Sequence, residues 1–337
     1  MKLLFTIETL LACCFTMQAQ KISQVITVAP DGSGDHRTIQ GAINSIPDST
    51  RIGFIIFIRN GVYNEKLYIE KPNIVLEGES RDSTIIVAAI ARDSWRCNHT
   101  DDWGVATLNV GANDLTLRNL TITNAYGFLQ TGEVEITCAA DSTGKKVIRR
   151  NSHQMALRAM NCTRLRAINC HFRSFGGDTV SPWNTVDGMW YFKDCIMEGS
   201  VDLYCPRGWA WAENCIFIAH SGTAIVWHDG SGNADAKSVL LNCRFKGYDG
   251  FQLGRYHREA QLLFIGCVFD ANMANTPVYH APSGPPLQWG HRVYFSGCRK
   301  AGGVDFEWYR NRLPAGITEQ QITVDWVFGK CWHPHKS

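Results

Sequence analysis

From the middle of the chain onward one short phrase keeps returning: a small or polar residue, a cysteine, any residue, then a large apolar one. It reads Asn169-Cys170-His171-Phe172, Asp194-Cys195-Ile196-Met197, Asn214-Cys215-Ile216-Phe217, Asn242-Cys243-Arg244-Phe245 and Gly266-Cys267-Val268-Phe269. Gly297-Cys298 is a degraded copy, and Asn119-Leu120-Thr121-Ile122 an earlier relative without the cysteine. Successive cysteines stand 20 to 31 residues apart, too irregularly for a helical repeat array but naturally for coils of a parallel β-helix whose loops differ in length. In such a solenoid equivalent residues stack about 4.8 Å apart and alternate side chains point into the core. The cysteine and the apolar residue two places later then both face inward. These cysteines are expected to be small buried hydrophobes rather than disulfide partners or metal ligands, and no Cys-x-x-Cys spacing occurs. Of the 13 cysteines, Cys13 and Cys14 lie in the N-terminal segment, so an odd number remains.

The front of the chain supplies an end for the solenoid. Ile39, Ala42, Ile43 and Ile46 recur at helical spacing and are followed by Pro47, which predicts a short amphipathic helix. A solenoid end exposes apolar core and open strand edges, and a helix just before the first strands is a suitable lid. Strand-like runs follow at Phe54–Ile58, Asn73–Leu76 and Ser83–Val87. No linker divides them from the cysteine coils. Residues 20–337 are therefore read as one all-β domain, a single-stranded parallel β-helix with an N-terminal capping helix.

Residues 1–19 read as a secretory signal: Lys2, an apolar run from Leu3 to Phe15 broken at Glu8, and the closing Met17-Gln18-Ala19. This implies a secreted or periplasmic protein, with lipid attachment at Cys13 of Leu10-Leu11-Ala12-Cys13 as the alternative. No later stretch is apolar for long enough to span a membrane. A formal charge of +2 lacks the basic footprint of a nucleic-acid binder.

With a coil of about 24 residues in this region, Gln154, Asp178 and Asp202, spaced by 24, fall in one vertical column. Two carboxylates about 5 Å apart cannot both ionise freely, so one of the pair is expected to titrate high. That suits a nucleophile beside a general acid. Arg255, about two coils further, is placed to hold Asp202 charged while Asp178 keeps its proton. The Gln154 amide is placed to face an oxygen that becomes negative.

These residues resemble the pectin methylesterase family over nearly the whole chain beyond the signal. Ala29-Pro30-Asp31-Gly32-Ser33-Gly34 before the helix resembles its opening, and Gly61-Val62-Tyr63-Asn64-Glu65 its Gly-x-Tyr-x-Glu segment. Gln154-Met155-Ala156-Leu157 is similar to Gln-Ala-Val-Ala-Leu, Gly177-Asp178-Thr179-Val180 to Gln-Asp-Thr-Leu, Val201-Asp202-Leu203-Tyr204-Cys205 to Val-Asp-Phe-Ile-Phe, and Leu253-Gly254-Arg255-Tyr256 to Leu-Gly-Arg-Pro. Six motifs in the right order are specific where each alone is not. The resemblance implies a right-handed parallel β-helix and a hydrolysis of methylated galacturonan that needs no metal or other cofactor. Asp202 would be the nucleophile, Asp178 the general acid and then base, Gln154 the oxyanion donor and Arg255 the group positioning Asp202. It also implies a monomer whose partner is pectin.

The departures fall around the cleft. The family's glutamine before the first aspartate is Gly177, and losing one oxyanion donor costs roughly 100- to 1,000-fold in rate if nothing replaces it. Cys205-Pro206 replaces Phe-Gly, and Tyr256-His257 replaces Pro-Trp. Tyr204, Trp227, Tyr256 and His257 are the expected substrate contacts, drawn from a wider set with Trp183, Trp190, Trp209, Trp211, Trp289 and His228. Three rivals stay open. Asn184-Thr185-Val186-Asp187-Gly188 superficially resembles a polygalacturonase motif but lacks its companions. Asp229 and Asp235 are a thin basis for a calcium-dependent lyase. A catalytically silent pectin-binding β-helix would keep the column and lose turnover with Gly177.

Overall fold

The computed structural model describes residues 22–48, 52–228, 230–329 and 332–336. The expected signal at residues 1–19 lies outside them. The chain winds as a parallel β-helix with three faces. One face is a ten-stranded sheet running from Ile22–Val28 to Arg292–Ser296, and a second is a nine-stranded sheet from Gly61–Tyr63 to Arg299–Ala301. Every strand pair in both is parallel. The third face is interrupted. A four-stranded piece ends at Val180–Trp183, a three-stranded piece begins at Ala224–His228, and between them Tyr204 makes only single bridges to Val180 and Val226.

The recurring phrase has a backbone cause. The residue before each cysteine turns the chain from the first face to the second in the left-handed region: Asn169, Asp194, Asn214, Asn242, Gly266 and Gly297 have φ between 49° and 63°. Only Gly, Asn and Asp enter that region at low cost, which is why the position is small or polar. The following cysteines are buried and free, except that Cys298 is half-buried. Cys195, Cys243, Cys267 and Cys298 donate their thiols to carbonyl oxygens of the coil before, at Ala167, Ala212, Leu240 and Phe264. Phe172, Met197, Phe217, Phe245 and Phe269 sit in the core beside them. The expectation of no disulfide fails outside the repeat, where Cys97 is bonded to Cys138. That bridge ties the loop after a short helix, Arg92–Trp95, to an antiparallel hairpin, Val134–Thr137 with Lys145–Ile148, that projects from the solenoid.

The expected helix spans Ile39–Ser45 and packs on the strands Ile22–Val28, Gly53–Ile58 and Leu67–Ile69. Thr38 caps it, its hydroxyl accepting from Gly41 N–H. Glu65 accepts from the N–H groups of Ile39 and Gln40 at 2.9 Å each, a carboxylate placed where orphan donors and the helix dipole favour negative charge. At the other end of the chain a helix at Val324–Phe328 covers the outside of the ten-stranded face, burying Tyr191, Trp211, Val239 and Leu263.

Candidate active site

The paired aspartates stand at the break in the third face. Asp178 lies just before the strand Val180–Trp183 and Asp202 just before the bridge residue Tyr204, and both take left-handed φ values, 58° and 56°. Such a residue ends a strand's alternation and turns its side chain out of the core. Asp178 N–H bonds Val201 O at 3.2 Å and Asp202 N–H bonds Ala224 O at 2.7 Å, so successive coils set one aspartate over the next. Below them Gln154 N–H bonds Gly177 O at 2.9 Å, which completes the column expected from the spacing of 24.

The two carboxylates are held differently. Arg255, on the strand Gln252–Tyr256, grips Asp202 with both arms of its fork, Nε to Oδ1 at 3.0 Å and Nη2 to Oδ2 at 2.6 Å. Asp178 has no such partner: its Oδ1 is buried without a hydrogen bond, and its Oδ2 lies 3.7 Å from His153 Nδ1. Asp202 is 1% exposed. Burial pushes its carboxyl above the ordinary 3.8, the Arg255 hydrogen bonds and charge pull it back, and the neighbouring Asp178 raises it again. Arg255 was expected to hold Asp202 charged; it does pull the carboxyl down, but desolvation outweighs the ion pair.

Gln154 reaches the column, but its amide does not reach the cleft. The residue is 0% exposed; its Oε1 accepts from Gly127 N–H and its Nε2 donates to Arg150 O. It pins two loops, and the oxyanion-donor role expected of it is corrected on that ground. Tyr204 and Tyr256 are likewise corrected. Tyr204 lies inside the solenoid edge-on to Phe192 and Phe217, and Tyr256 is buried with its hydroxyl against His291. Neither has a face to offer a sugar. Trp190 and Trp211 are buried structure, and His228 is buried with Nδ1 accepting from Gly230 N–H. Trp227 and His257 do come together beside Arg255: their rings lie 5.3 Å apart, and Trp227 lies 5.9 Å from the guanidinium.

Two residues, and the setting of Trp183, went unread in the sequence. His153 stands beside Asp178; its place immediately before Gln154 was the available signal. Arg92 comes from an insertion with no periodic signal, pairs with Asp102, and is near enough to feel the Asp178 charge. Trp183, 39% exposed, lies 4.7 Å and 4.0 Å from the guanidinium groups of buried Arg158 and Arg207. Both arginines bond the Ser181 hydroxyl. Among the described residues no group of three or more His, Cys, Asp or Glu is arranged to hold a metal ion.

Comparison with known proteins agrees with this fold. The chain is 26% identical over 325 residues to a putative pectinesterase of Arabidopsis thaliana, covering 91% of this chain and 80% of that protein. It superposes on a pectin methylesterase solved in complex with a hexasaccharide with a TM-score of 0.68 at 22% identity, covering 94% of this chain and 99% of the other. The pectin methylesterase of Aspergillus niger gives 0.69 at 22% identity, over 94% and 97%. These structures share the parallel β-helix. The pectinesterase family model matches residues 25–227, well over half of the 337-residue chain, and by that measure the chain belongs to the pectinesterase family.

Proposed function

We propose that this protein is a pectin methylesterase that hydrolyses methyl esters of galacturonan to free carboxylates and methanol. The observation that carries the reading is the unequal pair: Asp202 clamped in both directions by Arg255, and Asp178 beside it with an oxygen left unpartnered. A clamped carboxylate whose burial raises its basicity is a suitable nucleophile, and a less constrained neighbour is free to pass a proton. Asp202 would attack the ester carbonyl and Asp178 would protonate the departing methanol. Asp178, now ionised, would take a proton from the water that releases the acyl group from Asp202. Trp227 and His257 would line the path of the sugar chain. The solved relative holding a hexasaccharide supports an oligosaccharide in the equivalent cleft. Residues 1–19 would direct export, and the enzyme would act as a monomer.

The test is methanol release from highly methylated pectin. The unaltered protein should release it, Asp202→Ala should not, and Asp178→Asn should be almost as inactive, with circular dichroism unchanged in both. Full activity in either variant means the wrong carboxylates have been named. New reducing ends would indicate a hydrolase, and an ultraviolet-absorbing unsaturated product a lyase. The silent pectin-binding reading draws on one observation, that neither Gly177 nor the buried Gln154 offers a donor to the cleft. Binding without any product would establish it.

A further inference from the structure

We infer that the imidazole of His153 is the oxyanion donor of this enzyme, in the place left vacant by Gly177 and Gln154; the inference rests on the esterase reading. When a carboxylate attacks an ester carbonyl, the negative charge collects on the carbonyl oxygen. A donor aimed at that oxygen is among the largest single contributions to the rate. The donors around the column are mostly committed. Arg255 spends Nε and Nη2 on Asp202, Arg92 spends Nε and Nη2 on Asp102, and Gln154 donates inward to Arg150 O. The buried Trp227 Nε1 is unpartnered, but its atom is shut off from the cleft surface.

His153 meets each requirement these groups miss. Its side chain is 38% exposed, and its Nδ1 is 3.7 Å from Asp178 Oδ2. That gap is too wide for a hydrogen bond, so the ring is not tied to the carboxylate it faces. Imidazole carries at least one N–H in either protonation state. The backbone that carries the ring is also held in place. Arg92 N–H bonds the His153 carbonyl at 2.9 Å, and the next residue's N–H bonds Gly177 O. A β-carbon built at Gly177 would lie 2.9 Å from His153 Cδ2, 2.9 Å from Val201 Cγ1 and 2.6 Å from Val201 O. The histidine ring therefore lies against the backbone from which a glutamine at 177 would project, and a side chain there would press on the ring and on the Val201 carbonyl.

The step balances without proton transfer to His153. The bond from Asp202 oxygen to the acyl carbon forms as the carbonyl π pair moves onto oxygen, which accepts the His153 N–H. Collapse restores the carbonyl and breaks the bond to the methoxy oxygen, which takes the Asp178 proton. Hydrolysis of the acyl-enzyme repeats the oxyanion at the same place, with water as attacker and Asp202 as leaving group.

The experiment compares the unaltered enzyme with His153→Ala and His153→Gln on methylated pectin, with melting temperatures recorded alongside. The alanine variant should lose about 100- to 1,000-fold in kcat, while KM stays within about threefold because the contact is made in the transition state. The glutamine variant, which restores an N–H donor of similar reach, should regain at least about tenfold of that loss. A kcat for His153→Ala within about threefold of the unaltered enzyme overturns the inference. So do equal losses in both variants, or a loss confined to KM. If the unaltered protein releases no methanol at all, the esterase reading itself falls; if it does and His153→Ala keeps pace, only the role of His153 falls.

Discussion

Two faces of the solenoid run unbroken for ten and nine strands, and the third stops and restarts at the coil that carries Asp202. In the unbroken faces left-handed residues fall at the corners, before each cysteine, where a turn is needed. In the broken face they fall at Asp178 and Asp202, where the ladder would otherwise continue. The contrast separates two uses of one backbone state. At the corners it lets short strands stack and buries a thiol and a large apolar side chain in each cysteine coil. In the broken face it gives up ladder hydrogen bonds and turns two carboxylates outward, one above the other. Stability and the proposed chemistry thus fall on different faces of the same coils.

The strongest way to break this contrast is Arg255→Gln. If the gap exists to seat Asp202 on that guanidinium, a displacement of about 1 Å should cut kcat by about 100-fold. The unpaired buried carboxylate should also cost about 3 to 5 kcal/mol of stability. Methanol release and denaturant melts check both, and a variant with normal rate would leave the arginine with no part in the chemistry.

The acid limb of the pH profile sharpens the same point. In the proposed mechanism Asp202 reacts as the carboxylate, and burial places its folded-state value above 3.8. Activity should be present above that raised value and lost as pH falls through it, so the limb in kcat/KM should lie above 3.8. Linkage runs the other way for stability: this group's contribution is complete below its unfolded value and lost as pH rises through the folded one. An acid limb below 3.8 would show that the ion pair, not burial, dominates.

On the unbroken side, Phe264→Ala removes a fully buried ring stacked 5.2 Å from Phe295 and edge-on at 6.0 Å to Phe245. It should cost about 3 to 5 kcal/mol while the folded fraction keeps its kcat. Gly177→Ala should cost about 1 to 3 kcal/mol, because the new methyl group meets the Val201 carbonyl, and should lower kcat as well. Smallest is Cys243→Ala, expected at about 1 kcal/mol in stability with no change in rate. Loss of rate in either core variant would mean that the two faces are not separable.

Much of this was legible before any coordinates. The small-or-polar residue, the cysteine and the apolar residue in sequence encode a left-handed corner and two inward side chains, and their spacing sets the coil. The helix could be read from Ile39, Ala42 and Ile43, and the column from a spacing of 24 among Gln154, Asp178 and Asp202. The Cys97–Cys138 bridge was not legible, because it joins two insertions outside the repeat and pairing carries no periodic signal. The helix at Val324–Phe328 covering the ten-stranded face was missed as well, being short and far in sequence from the strands it buries.

A repeat determines the level at which a residue sits, because every coil climbs by one strand spacing. It does not determine the direction in which a side chain leaves that level. Tyr204, two positions after Asp202, would share its side in a regular strand, but the left-handed turn at Asp202 breaks the alternation, so the acid turns to meet Arg255 and the phenol goes into the core. Gln154 shares the column and still points its amide inward, because Gly127 and Arg150 on neighbouring loops take both ends of it. The sequence by itself determined the solenoid and the height of each acid along it. Which side chains face the cleft was decided only by tertiary structure, since local backbone handedness and contacts between distant loops set that choice.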